Sequence, residues 1–454
     1  MKKIENFLFK KIELWILILV IIFFIIFSLF IGVLVRQGLE GRTKFGSFSI
    51  ESLTTPIIKI VRIPERIIGK VLKPNDNRIG DPWDTKRNFL KNKGFSGQNP
   101  KNYFLLLSRY DIESEQSIVE LVDLKKFKII HKWVPDINKF NDLIDKKNDQ
   151  FRYQKRDQNK KRFVIYHPYL TEKGGLIFSD KSQLINIDIC SNLVWQNQEH
   201  IFHHSKEPDI YNKLWIPADL FKSDIKNYEK APSHNAIVQV DSDGKIIFLK
   251  SLFELFIENN LEYYIHGLGF SKSNLFHLND IEPAKINSDF WNVGDVFLSL
   301  RNLSLVILYR PSENKILNII HGPFYNQHDV DILNENEISI FNNNKKSYGV
   351  LNTEIIKYNF KTKKFSKYFE KSLSINKVKT PYQGVHEILP SGELFLESTT
   401  DGRILFFDNK GKLQWQFVNN NNKMKELYSM GWSRILYTES DIKKINMIKE
   451  KNCK

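Results

Sequence analysis

Six of the eleven histidines in this 454-residue chain stand in one kind of place. His167, the pair His203 and His204, His277, His328 and His386 each come shortly before a short alternating stretch. Those stretches are "GGLIFSD" (174–180), "KLWIPAD" (213–219), "DVFLSLR" (295–301), "EISIFNN" (337–343) and "ELFLEST" (393–399). A single histidine there ordinarily satisfies a backbone carbonyl. Several converging on one point could do more. Imidazoles can gather around Zn²⁺ or copper, or their N–H groups can grip a sulfate- or phosphate-like anion together with a guanidinium. Arg301, which closes "DVFLSLR", separates the two, because it repels a cation and binds an anion. Asn279 follows His277 by two residues and so shares its side of an extended segment. An anion site is expected, with no metal and no cofactor.

His328 lies in "HGPFYNQHDVDILNENEISIFNN" (321–343). A neutral imidazole, with an ordinary pKa of about 6.5, is a competent nucleophile near neutrality. Capturing a group on it would divide one difficult transfer into two easier ones. Asp329 invites a dyad, yet neighbours in an extended segment point to opposite faces, so it is expected to serve a turn or a strand contact instead.

The elements that must position these residues are β-strands. From about residue 101 one unit recurs: a strand ending in Asp or Asn, a tight polar turn, then a strand often ending in an aromatic. "SIVELVDLKKFKIIHKW", "AIVQVDSDGKIIFLK" and "RILFFDNKGKLQWQF" are examples. Aligning Asp123, Asp188, Asp241, Arg310, Asn359 and Asp408 gives steps of 65, 53, 69, 49 and 49 residues. Periods near fifty with several strands per unit predict a propeller. Six units predict a six-bladed, all-β propeller over residues 101–440, with the alternating stretches as first strands lining its channel. A two-sheet sandwich predicts no such repeat. The charged run 139–162 is expected to form a surface helix and loop.

Leu14 to Val35 is 22 residues without a charge, enough to cross a bilayer as a helix. The lysines at 2, 3, 10 and 11 favour residues 1–13 on the cytoplasmic side. Residues 36–100 are expected to be a tether with one or two short helices near the membrane, and 441–454 a tail. The propeller is expected outside the cytoplasm, on the periplasmic side of the inner membrane. The net charge of +15 is spread along the chain rather than clustered, so nucleic acid is not an expected partner. Cys190 and Cys453 match no metal spacing, and a structural disulfide between them is not expected.

The segments "FHHSKEPD" (202–209), "FHLNDIEP" (276–283), "GDVFLSLRNLSLVILY" (294–309), "GPFYNQHDVDILNENEISIFNN" (322–343) and "HEILPSGELFLES" (386–398) resemble the bacterial arylsulfotransferases. Those enzymes are periplasmic six-bladed propellers that pass a sulfuryl group between phenols without a nucleotide cofactor. The resemblance covers roughly residues 165–420. It implies that His328, in the Q-H-D signature, becomes transiently sulfated, and that His277, Asn279 and Arg301 contact the sulfuryl oxygens. It also implies that His204, with His203 beside it, supplies a further imidazole that could donate a proton to the leaving phenolate. His167 and His386 are further candidates. The implied substrates are an aryl sulfate and a phenol. A rival expectation is a non-catalytic propeller that binds an anionic ligand or partner at the cell envelope, and another is a metal-dependent propeller enzyme.

Overall fold

The computed structural model describes residues 13–39, the pairs 44–45, 48–49 and 78–79, and residues 94–221, 234–267, 274–421 and 426–453 apart from 146, 148, 153, 347, 348 and 452. The chain divides into two compact units, Met1–Pro74 and Asn75–Lys454. In the first, Leu14–Leu39 is one helix. Its Leu14–Val33 portion, with a hydropathy of 3.4, is long and apolar enough to cross a membrane. The helix runs past Val35, the expected end. The short helices expected in the tether lie outside the described residues.

The second unit is a succession of antiparallel sheets in a propeller-like arrangement. Strand Arg434–Leu436, from the C-terminal end, pairs with Phe104–Asp111, which is followed by Gln116–Asp123 and Lys128–Trp133. An eight-stranded sheet spans Tyr166–Leu170 to Ile246–Ser251. Its two halves meet through the short pairing of Ile201 with Asp219 and Phe202 with Ala218. Four-stranded sheets begin at Leu278–Pro283 and at Val330–Asn334. A five-stranded sheet begins at Val385–Ile388.

Aligned acidic residues close the repeating turns for a definite reason. The carboxylates of Asp188, Asp241 and Asp408 each accept two backbone N–H groups of the turn that follows, at 2.8–3.0 Å. This is the turn geometry that Asp supplies with its own side chain. Apolar clusters lie between successive sheets. Leu105, Leu107 and Val122 of the first sheet pack with Phe395, Ile404 and Trp415 of the last, so the ring closes on itself.

Four expectations need correction. The alternating stretches are second strands, not first. The innermost strands are the segments that begin at or near the histidines, such as Leu278–Pro283 and Val330–Asn334. They carry polar residues toward one another across the channel, so they lack the in–out alternation of a half-buried strand. Part of the expected tether, Gly94–Gly97, adds an outer strand to Leu413–Val418. The expected tail is a helix, Glu439–Glu450, begun by a Thr438–Asp441 capping box and held by burial of Ile445 and Ile448. Each of those isoleucines contributes about 1.5–3 kcal/mol. Finally, Cys190 and Cys453 form a disulfide that closes 263 residues of sequence. Spacing could not reveal it, because the docked helix brings the two sulfurs together.

Candidate active site

At or near the head of each innermost strand one residue lies in the left-handed region: His167 (φ 44°), His204 (52°), His277 (51°), Asn326 (56°), Gln383 (61°) and Trp432 (60°). Non-glycine residues pay strain for this conformation, and such strain gathers at functional sites. Three of these six residues, His204, His277 and Gln383, line one cavity of about 530 Å³ together with His203, Arg301 and His328, among others. The His204 ring centre lies 5.4 Å from that of His277, 6.4 Å from His328 and 5.6 Å from Trp432.

His328 is 2% exposed and is held at both ring nitrogens. Its Nδ1 lies 2.6 Å from Asn343 Oδ1. Asn343 spends both amide hydrogens on the carbonyls of Thr380 and Gln383, at 2.7 Å each. Its oxygen must therefore face the ring, which places the His328 proton on Nδ1 and leaves the Nε2 lone pair free to react. That lone pair accepts the backbone N–H of Gln383 at 3.0 Å. Burial first, then the charge of Arg301 and the nearby His277, holds His328 well below the ordinary histidine range. The imidazole is neutral at pH 7.

His277 and His204 are held neutral too. Burial, with Arg301 adding to it, lowers His277 to about 3. Its Nδ1 is 2.7 Å from Asn274 Nδ2, so Nδ1 accepts and Nε2 carries the proton. Burial likewise holds His204 well below the ordinary range. Its Nδ1 is 2.7 Å from His203 Nδ1, and His203 Nε2 faces Asp219 at 3.4 Å. With the His203 proton on Nε2, toward Asp219, its Nδ1 accepts from His204 and the His204 Nε2 is left as a proton acceptor.

Arg301 opens the turn after Val296–Leu300, and its backbone N–H donates to the His277 carbonyl at 3.1 Å. That bond between neighbouring strands brings the guanidinium to the same mouth as the histidines. The guanidinium lies 5.6 Å from the Tyr382 ring, and Lys345 Nζ lies 3.6 Å from the same ring. Asp157, Gln158 and Arg162, from the charged insertion, also line the cavity.

The structure thus brings together His203, His204, His277, His328 and Arg301. It does not bring in the others. Asn279 donates to the carbonyl of Gln327 at 3.0 Å, supporting the segment that carries His328 rather than lining the cavity. His167 and His386 line a different cavity. Asp329 accepts from His386 Nδ1 at 2.8 Å, as a strand contact should. Sequence reasoning missed Asn343, Gln383 and Trp432. The chance to find Trp432 lay in "GWSRIL", whose strand closes the first sheet from the far end of the chain.

The chain matches the family model for arylsulfotransferase (ASST) over residues 176–420. No curated protein matches it. Among solved structures, a protein of unknown function from Bacteroides caccae is similar at 11% identity and a TM-score of 0.49, over 74% of this chain and 100% of its own. Virginiamycin B lyase from Staphylococcus aureus is similar at 11% identity and a TM-score of 0.34, over 57% of this chain and 71% of its own. A streptogramin B lyase is similar at 8% identity and a TM-score of 0.38, over 75% of this chain and 97% of its own.

Proposed function

The chain belongs to the arylsulfotransferase family, and from that premise we propose that it moves a sulfuryl group from an aryl sulfate to a phenol through a sulfohistidine on His328, without a nucleotide cofactor. The single observation that carries this reading is the pair of contacts on His328: Asn343 fixes the proton on Nδ1, and burial beside Arg301 keeps the ring neutral. In the first half-reaction the Nε2 lone pair attacks sulfur and the S–O bond to the aryl group breaks, releasing a phenolate. The ring becomes cationic, and its Nδ1–H is held by the Asn343 oxygen. The Gln383 N–H, displaced from Nε2 by the new N–S bond, is placed to donate to a sulfuryl oxygen, together with His277 Nε2–H and the Arg301 guanidinium. In the second half-reaction His204 Nε2 takes the proton of the incoming phenol, whose oxygen attacks sulfur while the N–S bond breaks. His203 and Asp219 steady the resulting imidazolium.

We read the sheets as six blades, with the eight-stranded sheet counting as two, and the apolar helix as an anchor that leaves the propeller on the periplasmic side of the inner membrane. The Cys190–Cys453 disulfide supports that side, because disulfides persist in oxidising compartments. Protease added to intact spheroplasts should then digest the bulk of the chain, and full protection would reverse the topology.

The covalent step is tested with a chromogenic aryl sulfate and no acceptor. A burst of phenol stoichiometric with enzyme, and one SO₃ adduct on the peptide holding His328, are expected. A normal burst in His328→Ala, or an adduct on His204 or His277, would refute the assignment.

A further inference from the structure

The innermost strands run from the histidine cavity into a second one. His277, His328 and Gln383 line the first, while Glu282, Asp331 and His386, farther along the same strands, line another cavity of about 630 Å³. At its centre, ligand atoms of Asp329, Asp331 and His386 all lie within 4.8 Å of one another. His386 has a fully buried side chain. Its Nδ1 donates to Asp329 Oδ2 at 2.8 Å, and that oxygen also accepts the His386 backbone N–H at 2.7 Å. The proton of the ring is therefore on Nδ1, and Nε2 presents a lone pair.

What faces that lone pair is a second electron donor. Asp331 Oδ2 lies 3.5 Å from His386 Nε2 and has no hydrogen-bond partner. The Ser339 hydroxyl, 2.8 Å from Nε2, is the one hydrogen-bond partner of that nitrogen among the described residues. Asp280, 1% exposed, binds the Val330 N–H between Asp329 and Asp331 with Oδ2, while its Oδ1 is buried without a partner. Glu282 and Glu387 add further carboxylates to the lining. Of the nearby cations, Arg434 is paired with Glu207 at 3.2 Å and Lys285 approaches Glu282 only to 3.9 Å. Buried carboxylates in such excess either take up protons or meet a counter-charge.

A carboxylate that receives the far N–H of an imidazole is the arrangement that orients a metal-binding histidine and raises its basicity. We propose that this second cavity binds one divalent transition-metal ion of the Mn²⁺ or Zn²⁺ type, held by His386 Nε2 and the Asp331 carboxylate, with Asp329 behind the imidazole. One imidazole among carboxylate oxygens suits those ions better than Ca²⁺, which takes oxygen ligands throughout. The ion would tie two innermost strands, Val330–Asn334 and Val385–Ile388, together at the end of the channel away from the histidine cavity, and its role is structural.

The test uses the full-length protein in detergent. Metal is measured by elemental analysis after purification, and the EDTA-treated protein is titrated with MnCl₂ while free Mn²⁺ is counted by electron paramagnetic resonance. One Mn²⁺ per chain should bind, with a rise in Tm on addition of metal. Asp331→Asn and His386→Gln should each weaken binding at least tenfold. If either variant fails to fold, the wild-type titration alone decides. A wild-type protein that carries no metal and binds no Mn²⁺ at millimolar concentration overturns the proposal. So does a folded Asp331→Asn protein that binds as tightly as wild type.

Discussion

Replacing Asn343 by Asp tests the proton assignment on which the nucleophile depends. The substitution keeps an oxygen 2.6 Å from His328 Nδ1 and adds a negative charge. A unit charge about 4 Å from the centre of the imidazolium, at an effective dielectric of about 20, contributes about 4 kcal/mol, or close to 3 pK units. Observed shifts beside a single opposite charge are about 1–3 units. In the wild type, burial and Arg301 hold His328 well below its ordinary range, so His328 adds no inflection to kcat/KM between about pH 6 and pH 8. The reactive form is the deprotonated ring. Raising its pKa therefore removes activity on the acid side and spares it on the alkaline side. In Asn343→Asp, kcat/KM should stay close to wild type on the alkaline side and begin to fall at a higher pH than in wild type on the acid side. The carboxylate also deprives the Thr380 and Gln383 carbonyls of their donors. Each loss costs about 1–3 kcal/mol of stability, so rates are taken per folded molecule, checked by circular dichroism. The assay is release of a chromogenic phenol at saturating acceptor. If the variant and wild-type profiles superimpose, Asn343 does not set the His328 tautomer.

Three further outcomes are expected. Arg301→Lys keeps the charge but loses the planar fork, so kcat should fall about tenfold or more; its side chain is bound to the protein by a hydrogen bond to the neighbouring Asn302 at 2.8 Å, so Tm should hardly move. Gly384 has φ +108°, and a Cβ there would come within 2.4 Å of the Phe341 ring. Gly384→Ala should therefore shift the Gln383 N–H off His328 and lower kcat with little change in KM, and wild-type kinetics would remove that N–H from the mechanism. Cys453→Ser gives up a cross-link over 263 residues, worth at most about 5 kcal/mol by chain entropy. Its Tm should drop by several degrees while activity at 25 °C persists, and dithiothreitol should bring wild type to the same Tm.

Much of the fold was legible because the turn chemistry repeats. Asp188, Asp241 and Asp408 each bind their own turns, so the same residue returns at the same place in those units. The apolar helix was legible from length and the absence of charge alone. The innermost strands were not, because channel strands such as "LNDIEP" bury polar residues and resemble loops. That error moved Arg301 by one strand yet left it at the correct mouth, since antiparallel neighbours bring the end of one strand beside the start of the other. The disulfide and the docked C-terminal helix were hidden for a different cause. Both depend on contacts between residues far apart in sequence, which neither spacing nor periodicity records.

The histidines themselves show where pattern and geometry part. His204 and His277 occupy left-handed positions near the heads of their strands, while His328 lies two residues past the left-handed Asn326, and His386 three past Gln383. A sequence count treats them as one ring. Depth along the channel separates them. At the head, a strained backbone aims side chains into the mouth. Two residues farther, His328 is still within 6.4 Å of His204, yet it is buried and gripped at both nitrogens. One residue deeper still, His386 is turned wholly to carboxylates and a hydroxyl. Half-buried imidazoles at the mouth suit proton transfer and oxygen contacts, whereas a nucleophile needs a fixed tautomer and a dry setting. The offset of His328 from its neighbours is thus the feature that suits it, rather than them, to the proposed nucleophilic role.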